Sequence, residues 1–172
     1  MTTNTTGDRN VAVGFKALMD MNVTDGSHTF NTAVGFAAGE NTSTGTSNTF
    51  MGANAGNANT TASNNTAIGS GAALGITTGS NNTCIGKGAG NNQTTGGQNT
   101  FVGENARGSA VGTEVSVVLG YNTVGQGDYH VTIGSGAGSD RIYNNFSSNA
   151  SWTRVSDSRY KEEITNNTDC GL

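Results

Sequence analysis

The chain has 172 residues, of which 33% are hydrophobic and 12% charged, with 27 glycines, no proline and a formal net charge of −4. Low hydrophobicity leans toward disorder, but disordered tracts are rich in Pro, Lys and Glu, and collagen needs glycine at every third position; this chain has neither pattern. The acidic balance argues against a nucleic-acid partner, which calls for a basic stripe, and no apolar run approaches the ~20 residues that insert across a membrane.

Residues 1–9 lead directly into a repeat. Thr5-Thr6-Gly7 before Asn10 matches Thr77-Thr78-Gly79 before Asn82, so the chain is expected to open partway through a repeat of a longer protein. The phrase Asn10-Val11-Ala12-Val13-Gly14 then recurs as Asn31-Thr32-Ala33-Val34-Gly35, Asn48-Thr49-Phe50-Met51-Gly52, Asn65-Thr66-Ala67-Ile68-Gly69, Asn82-Thr83-Cys84-Ile85-Gly86 and Asn99-Thr100-Phe101-Val102-Gly103. Looser copies end at Gly120 and Gly134. The closing glycines are spaced by 21 residues, then 17 five times, then 14. A fixed period in this range identifies a solenoid.

Stacked in columns, the three residues before each glycine read as short strands rich in β-branched side chains. Alternation puts the first and third columns on one face and the middle column on the other. Both faces are apolar or nearly so, which predicts the solenoid interior behind the strand and something else in front. The asparagines at 31, 48, 65, 82 and 99 are expected to stack amide over amide along the axis. A second small-residue column runs through Ala17, Ala38, Ala55, Ala72, Ala89, Ala106 and Ala137, with Thr123 the exception. Thr-Thr-Gly corners follow, as at Thr94-Thr95-Gly96, with glycine supplying positive φ.

Seventeen residues at ~3.3 Å each trace a circuit of roughly 55 Å, room for two short strands and two corners. Eight rungs at ~4.8 Å make a rod on the order of 40 Å long. So thin a coil encloses few apolar side chains, while ordering its backbone costs ~1–2 kcal/mol per residue. Burial of the second strand face against copies of itself would offset the deficit, and oligomerisation is expected.

The Asn-Thr-Ala-Val-Gly-x-x-Ala-Gly phrase resembles the left-handed β-roll repeats of trimeric bacterial adhesin heads, and more closely the stem repeats of phage and virus tail fibres. The resemblance covers residues 5–138. It implies an all-β fold: a left-handed parallel β-roll, or β-solenoid, of about eight rungs assembled as a homotrimer. The 17-residue period departs from the 14-residue adhesin coil, so three residues per coil are expected in a loop. The 21-residue first repeat holds four more, around Met19 to Gly26.

Residues 139–155 break the period and gather Tyr143, Phe146 and Trp152, the single tryptophan. They read as a neck in which chains draw together over aromatic packing, with an aromatic ligand patch as the rival. Ser156-Asp157-Ser158-Arg159-Tyr160-Lys161 then resembles the opening of the self-cleaving intramolecular chaperone domain that ends many phage fibres and endosialidases. That resemblance makes Ser156 the nucleophile and Lys161 its base, a pair that desolvation of the lysine would activate. Only eleven residues follow Lys161, far fewer than that domain needs, so residues 156–172 read as its truncated start and no cleavage is expected from this chain.

Cys84 stands where other repeats carry Ala or Phe and reads as a small packed thiol. His28 and His130 lie about six rungs apart, and there is no calcium-binding nonapeptide repeat or phosphate loop; no cofactor or metal is expected. Carboxylates are scattered over non-equivalent positions, against a glycosidase pair. The expected function is structural: residues 1–138 form the stem of a viral tail fibre, exposed on the virion, that holds out a receptor-binding end toward a host glycan or protein. A bacterial surface adhesin head and a self-processing fibre peptidase are the alternatives.

Overall fold

A computed structural model describes residues 9–136 and 140–147, and the backbone of 153–155. The described residues are all β and turn, without helix. Eight three- to five-residue strands lie parallel and in sequence order: Val11–Val13 (β1), Thr32–Val34 (β2), Thr49–Met51 (β3), Thr66–Ile68 (β4), Thr83–Ile85 (β5), Thr100–Val102 (β6), Val117–Leu119 (β7) and His130–Gly134 (β8). Each pairs with the next in the register that the columns give, for example Thr49↔Thr66, Phe50↔Ala67 and Met51↔Ile68. Seven coils, most of them 17 residues long, therefore separate the eight strands. This is a parallel β-solenoid.

Only one strand forms per coil, where two were expected. Between Gly52 and Asn64 the backbone takes positive φ at Gly52 (131°), Asn54 (57°), Gly56 (59°) and Asn64 (60°). Extended structure needs negative φ, so these positions turn the rest of the coil into a chain of bends. The bends are still bonded from coil to coil. Gly39 N–H donates to Ala55 O at 2.9 Å, Gly56 N–H to Ala72 O at 2.9 Å and Ala73 N–H to Ala89 O at 2.8 Å. A third line runs the other way, with Asn54 N–H on Phe36 O and Gly71 N–H on Ala53 O. Backbone polar groups that leave the sheet thus find partners one coil away, as burial in a thin coil demands.

The interior is lined by the middle residues of β2 to β8 and by the alanine column; Ala12 of β1, in the first coil, is exposed. Ala33, Phe50, Ala67, Cys84, Phe101 and Val118 are buried, as are the alanines from Ala17 to Ala106. Ala137 lies outside the described residues. Thr123, the exception in that column, is also buried, and its hydroxyl donates to Gly134 O at 2.6 Å across the shortened last coil. Side-chain volume is balanced locally. The Phe50 ring occupies the space that a Cβ on Gly56 would need, 2.2 Å from its nearest ring carbon. In the long first coil Leu18, Met21 and Val23 are buried, so the extra residues bring their own apolar contacts.

The strand glycines answer a different need. Gly69 has φ of 130°, and a Cβ there would fall 2.6 Å from the carbonyl of Gly86 one coil on. Only glycine combines that dihedral with that approach.

At its C-terminal end the sheet reverses. Arg141–Asn145 (β9) pairs antiparallel with β8, and Thr153–Val155 (β10) antiparallel with β9. Arg141 donates from Nη1 to Val124 O, tying β9 to the last coil. Tyr143 is half-buried, with its ring 6.1 Å from that of His130. Phe146 is exposed, and Trp152 lies outside the described residues.

Candidate functional site

The asparagine column is a structural ladder. Asn48 Oδ1 accepts the backbone N–H of Asn65 at 2.9 Å, and its Nδ2 donates to Ala62 O at 2.8 Å. Asn65 repeats this with Asn82 N–H and Gly79 O, both at 2.9 Å, and Asn82 with Asn99 N–H and Gly96 O. Each side chain thus joins its strand both to the next strand and to a corner fourteen residues on. Amide stacking also occurs, as in the 3.1 Å bond from Asn99 Nδ2 to Asn82 Oδ1. The column begins with Asn10, which accepts from Asn31 N–H, and ends with Ser116, whose N–H rests on Asn99 Oδ1. A parallel hydroxyl ladder follows the Thr-Thr-Gly corners. Ser43 Oγ donates to Thr60 O, Thr60 Oγ1 to Thr77 O, and Thr77 Oγ1 to Thr94 O, all at 3.0–3.1 Å. These residues bond to one another and to the backbone, and so hold the rod together.

Cys84 is buried and free. Burial pushes its thiol up to about 12, so it is not a nucleophile at neutral pH. Among the described residues, no group of three His, Cys, Asp or Glu side chains could hold a metal ion. His28 and His130 stand at opposite ends of the stack, near β2 and in β8. Ser156 and Lys161 lie outside the described residues.

What stands free is the outer face of the sheet. The middle column points inward, so the first and third columns point out. The first is a row of threonines, Thr32 through Thr100, half-buried between neighbouring coils. The third is aliphatic and exposed: Met51 43%, Ile68 38%, Ile85 38%, Val102 36%. One uncharged aliphatic row, repeating at the rung spacing of ~4.8 Å, runs the length of the rod.

Two further columns flank it, and the sequence reading passed over them. They lie two residues before the threonine and two after the aliphatic residue. Across the four central rungs they are small, polar or charged, from Ser47 and Ala53 in the β3 rung to Gln98 and Glu104 in the β6 rung. Toward the ends they become large and apolar, Phe30 and Phe36 in the β2 rung and Val115 and Tyr121 in the β7 rung, while the outermost rungs carry Arg9 with Phe15 and Tyr129 with Ser135. Phe15 of the β1 rung stacks on Phe36 with ring centroids 5.7 Å apart, yet is 67% exposed. A periodic count at these two offsets would have found them. Edge charges are paired within the chain. Lys87 Nζ meets Glu104 at 3.1 Å. Lys16 Nζ meets Glu40 at 2.8 Å, and their hydrogen bond holds the Glu40 carboxyl below its ordinary value and the Lys16 amine above its own.

No family model matches the chain, and no curated protein or solved structure does so either. The resemblance to fibre stems and adhesin heads rests on the repeat phrase itself.

Proposed function

We propose that this chain is a structural fibre segment, the homotrimeric, left-handed β-solenoid stem of a viral tail fibre or host-attachment stalk that presents a receptor-binding end. The observation that carries this reading is the exposed aliphatic row on the outer sheet face, from Met51 to Val102. An apolar row this long, on a rod with so little apolar interior, marks a surface that is covered in use. Three copies that turn this face toward a common axis bury it on all three chains. Stiffness follows from the bonding. Each coil is tied to the next at the strand, at the alanine column, at the hydroxyl corner and through the asparagine ladder. Bending the rod would strain all four lines together. By the same resemblance, Ser156 and Lys161 are the nucleophile and base of a self-cleaving chaperone-like segment.

Light scattering coupled to size exclusion tests the assembly. The expected mass is three times the 17.4 kDa of one chain. A monomer mass at micromolar concentration would sink the reading.

A further inference from the structure

The aliphatic row gives copies a reason to associate but no reason to align. Val34, Met51, Ile68, Ile85 and Val102 are nearly interchangeable. A copy displaced by one coil, ~4.8 Å, would bury almost the same aliphatic surface. A degenerate ladder of this kind slips unless something else sets its register.

The end rungs differ from the central ones in two independent respects. One is the width of their apolar surface, described above. The other is how well the residue suits its backbone. The column two residues before the threonine lies in the left-handed region at every rung, with φ of 58° at Ser47, 60° at Asn64, 63° at Asn81 and 61° at Gln98. Polar residues, asparagine above all, tolerate that region, whereas β-branched and bulky residues are strained there. Yet Phe30 (51°), Val115 (50°) and Tyr129 (59°) occupy it, all of them at the ends of the stack. Phe30 and Tyr129 do so while about half exposed. Within the chain the Phe30 ring meets the Arg9 guanidinium, 5.5 Å from its centroid, and the edge of the His28 ring at 5.8 Å, but half of its surface stays open.

We propose that these apolar end bands are register stops between copies of this chain. The aliphatic rows meet around the axis. Phe15, Phe30 and Phe36 at one end, and Val115, Tyr121 and Tyr129 at the other, fix the axial alignment of one copy on the next. The proposal rests on the assembly reading above and adds alignment to it. In register, each band meets its own counterpart. Displaced by one coil, Phe30 and Phe36 face Ser47 and Ala53, while the Val115 and Tyr121 band covers Gln98 and Glu104, desolvating polar groups without partners.

A second copy is the occupant that fits. A partner for this row must offer apolar groups every ~4.8 Å over seven steps, which another coil stack of the same sequence does. The face measures roughly 34 Å by 20 Å from strand geometry, or about 700 Å². That is close to the ~800 Å² per partner of a stable protein interface. Its central charges, Lys87 and Glu104, neutralise one another, so the central rungs of like faces approach without repulsion.

Cross-linking reads the register directly. Chains carrying Ile68→Cys and chains carrying Ile85→Cys, both with Cys170→Ser, are co-expressed, oxidised and mapped by mass spectrometry. Aligned copies give 68–68 and 85–85 links and few 68–85 links. Replacing Phe30→Asn, Phe36→Ser and Tyr121→Ser in both chains should keep the oligomeric mass and raise the 68–85 share about tenfold or more. Phe30→Asn alone, which suits the left-handed backbone, gives a smaller rise and guards against misfolding of the triple variant. Abundant 68–85 links in the parent chains would overturn the proposal. So would like-only links persisting in the triple variant, or an oligomer that forms no link. A monomer mass would remove the assembly reading as well.

Discussion

The two faces of the same short strands follow opposite rules. Inward, the middle column swings from Ala33 to Phe50, back to Ala67, through Cys84 to Phe101. The variation is absorbed between adjacent coils of one chain, because Gly39 and Gly56 leave room for the Phe50 ring and Gly90 does so for Phe101. Outward, the third column hardly varies, and the differences lie in its flanks. An interior enclosed by one chain can trade volume between neighbouring positions. A face that meets separate copies cannot, since each rung has to suit whatever lies opposite. Uniformity outside and compensation inside are what this contrast teaches.

Substitutions can press on that contrast, and the largest effect is expected inside. Gly69→Val places a branched side chain against the Gly86 carbonyl at a dihedral that only glycine adopts. It should cost about 3 kcal/mol or more in urea unfolding. Next comes the ladder. Asn65→Ala leaves the buried N–H of Asn82 and the carbonyl of Gly79 without partners, and a loss of about 3 kcal/mol is expected by the same measurement. A loss under ~0.5 kcal/mol would mean that water takes over the amide's bonds.

Volume compensation is open to a double-mutant cycle. Gly56→Ala and Phe50→Leu should each destabilise, but the pair by about 1 kcal/mol less than their sum, since a smaller side chain frees the space that the new methyl needs. Strict additivity would show that the coil interior does not trade volume.

Cys84 gives a prediction from its thiol. Held neutral by burial, it binds its proton more tightly in the folded chain than in the unfolded one. Its contribution is therefore complete below about pH 9 and declines as pH rises toward 12. Cys84→Ala, which restores the residue found at Ala33 and Ala67, should flatten the stability profile in that window. In the native protein at pH 8 the Cys84 thiol should resist iodoacetamide until denaturant is added.

The smallest effect on the single chain is expected outside. Ile68→Ser should leave the stability of an isolated chain within ~0.5 kcal/mol, yet lower the oligomeric mass seen by light scattering. If unfolding and mass respond together at every outward position, the two faces are one cooperative unit.

Much of this was legible before the structure. The 17-residue period, the strand positions, the asparagine column and the buried thiol all follow from equivalent residues recurring at equal spacing. That each coil lacks a second strand was not legible. Alternation and length allowed it, but the positive dihedrals at Asn54 and Ala73 are set by coil closure, and neither residue type demands them. The outward flanks were written in the sequence at fixed offsets from the threonine. They lie outside the five-residue phrase that defines the repeat, and so they passed unread.

By itself, then, the sequence determined the period, the register and the order of strands, because a repeat can bury its apolar residues only by stacking on its own copies. Only the tertiary structure decided which strand face is inside. Both candidate columns are apolar, and the choice depends on how the coil closes: the glycines after each strand turn the chain toward the middle column, enclosing Phe50 and Phe101 and leaving Met51 and Val102 in the open.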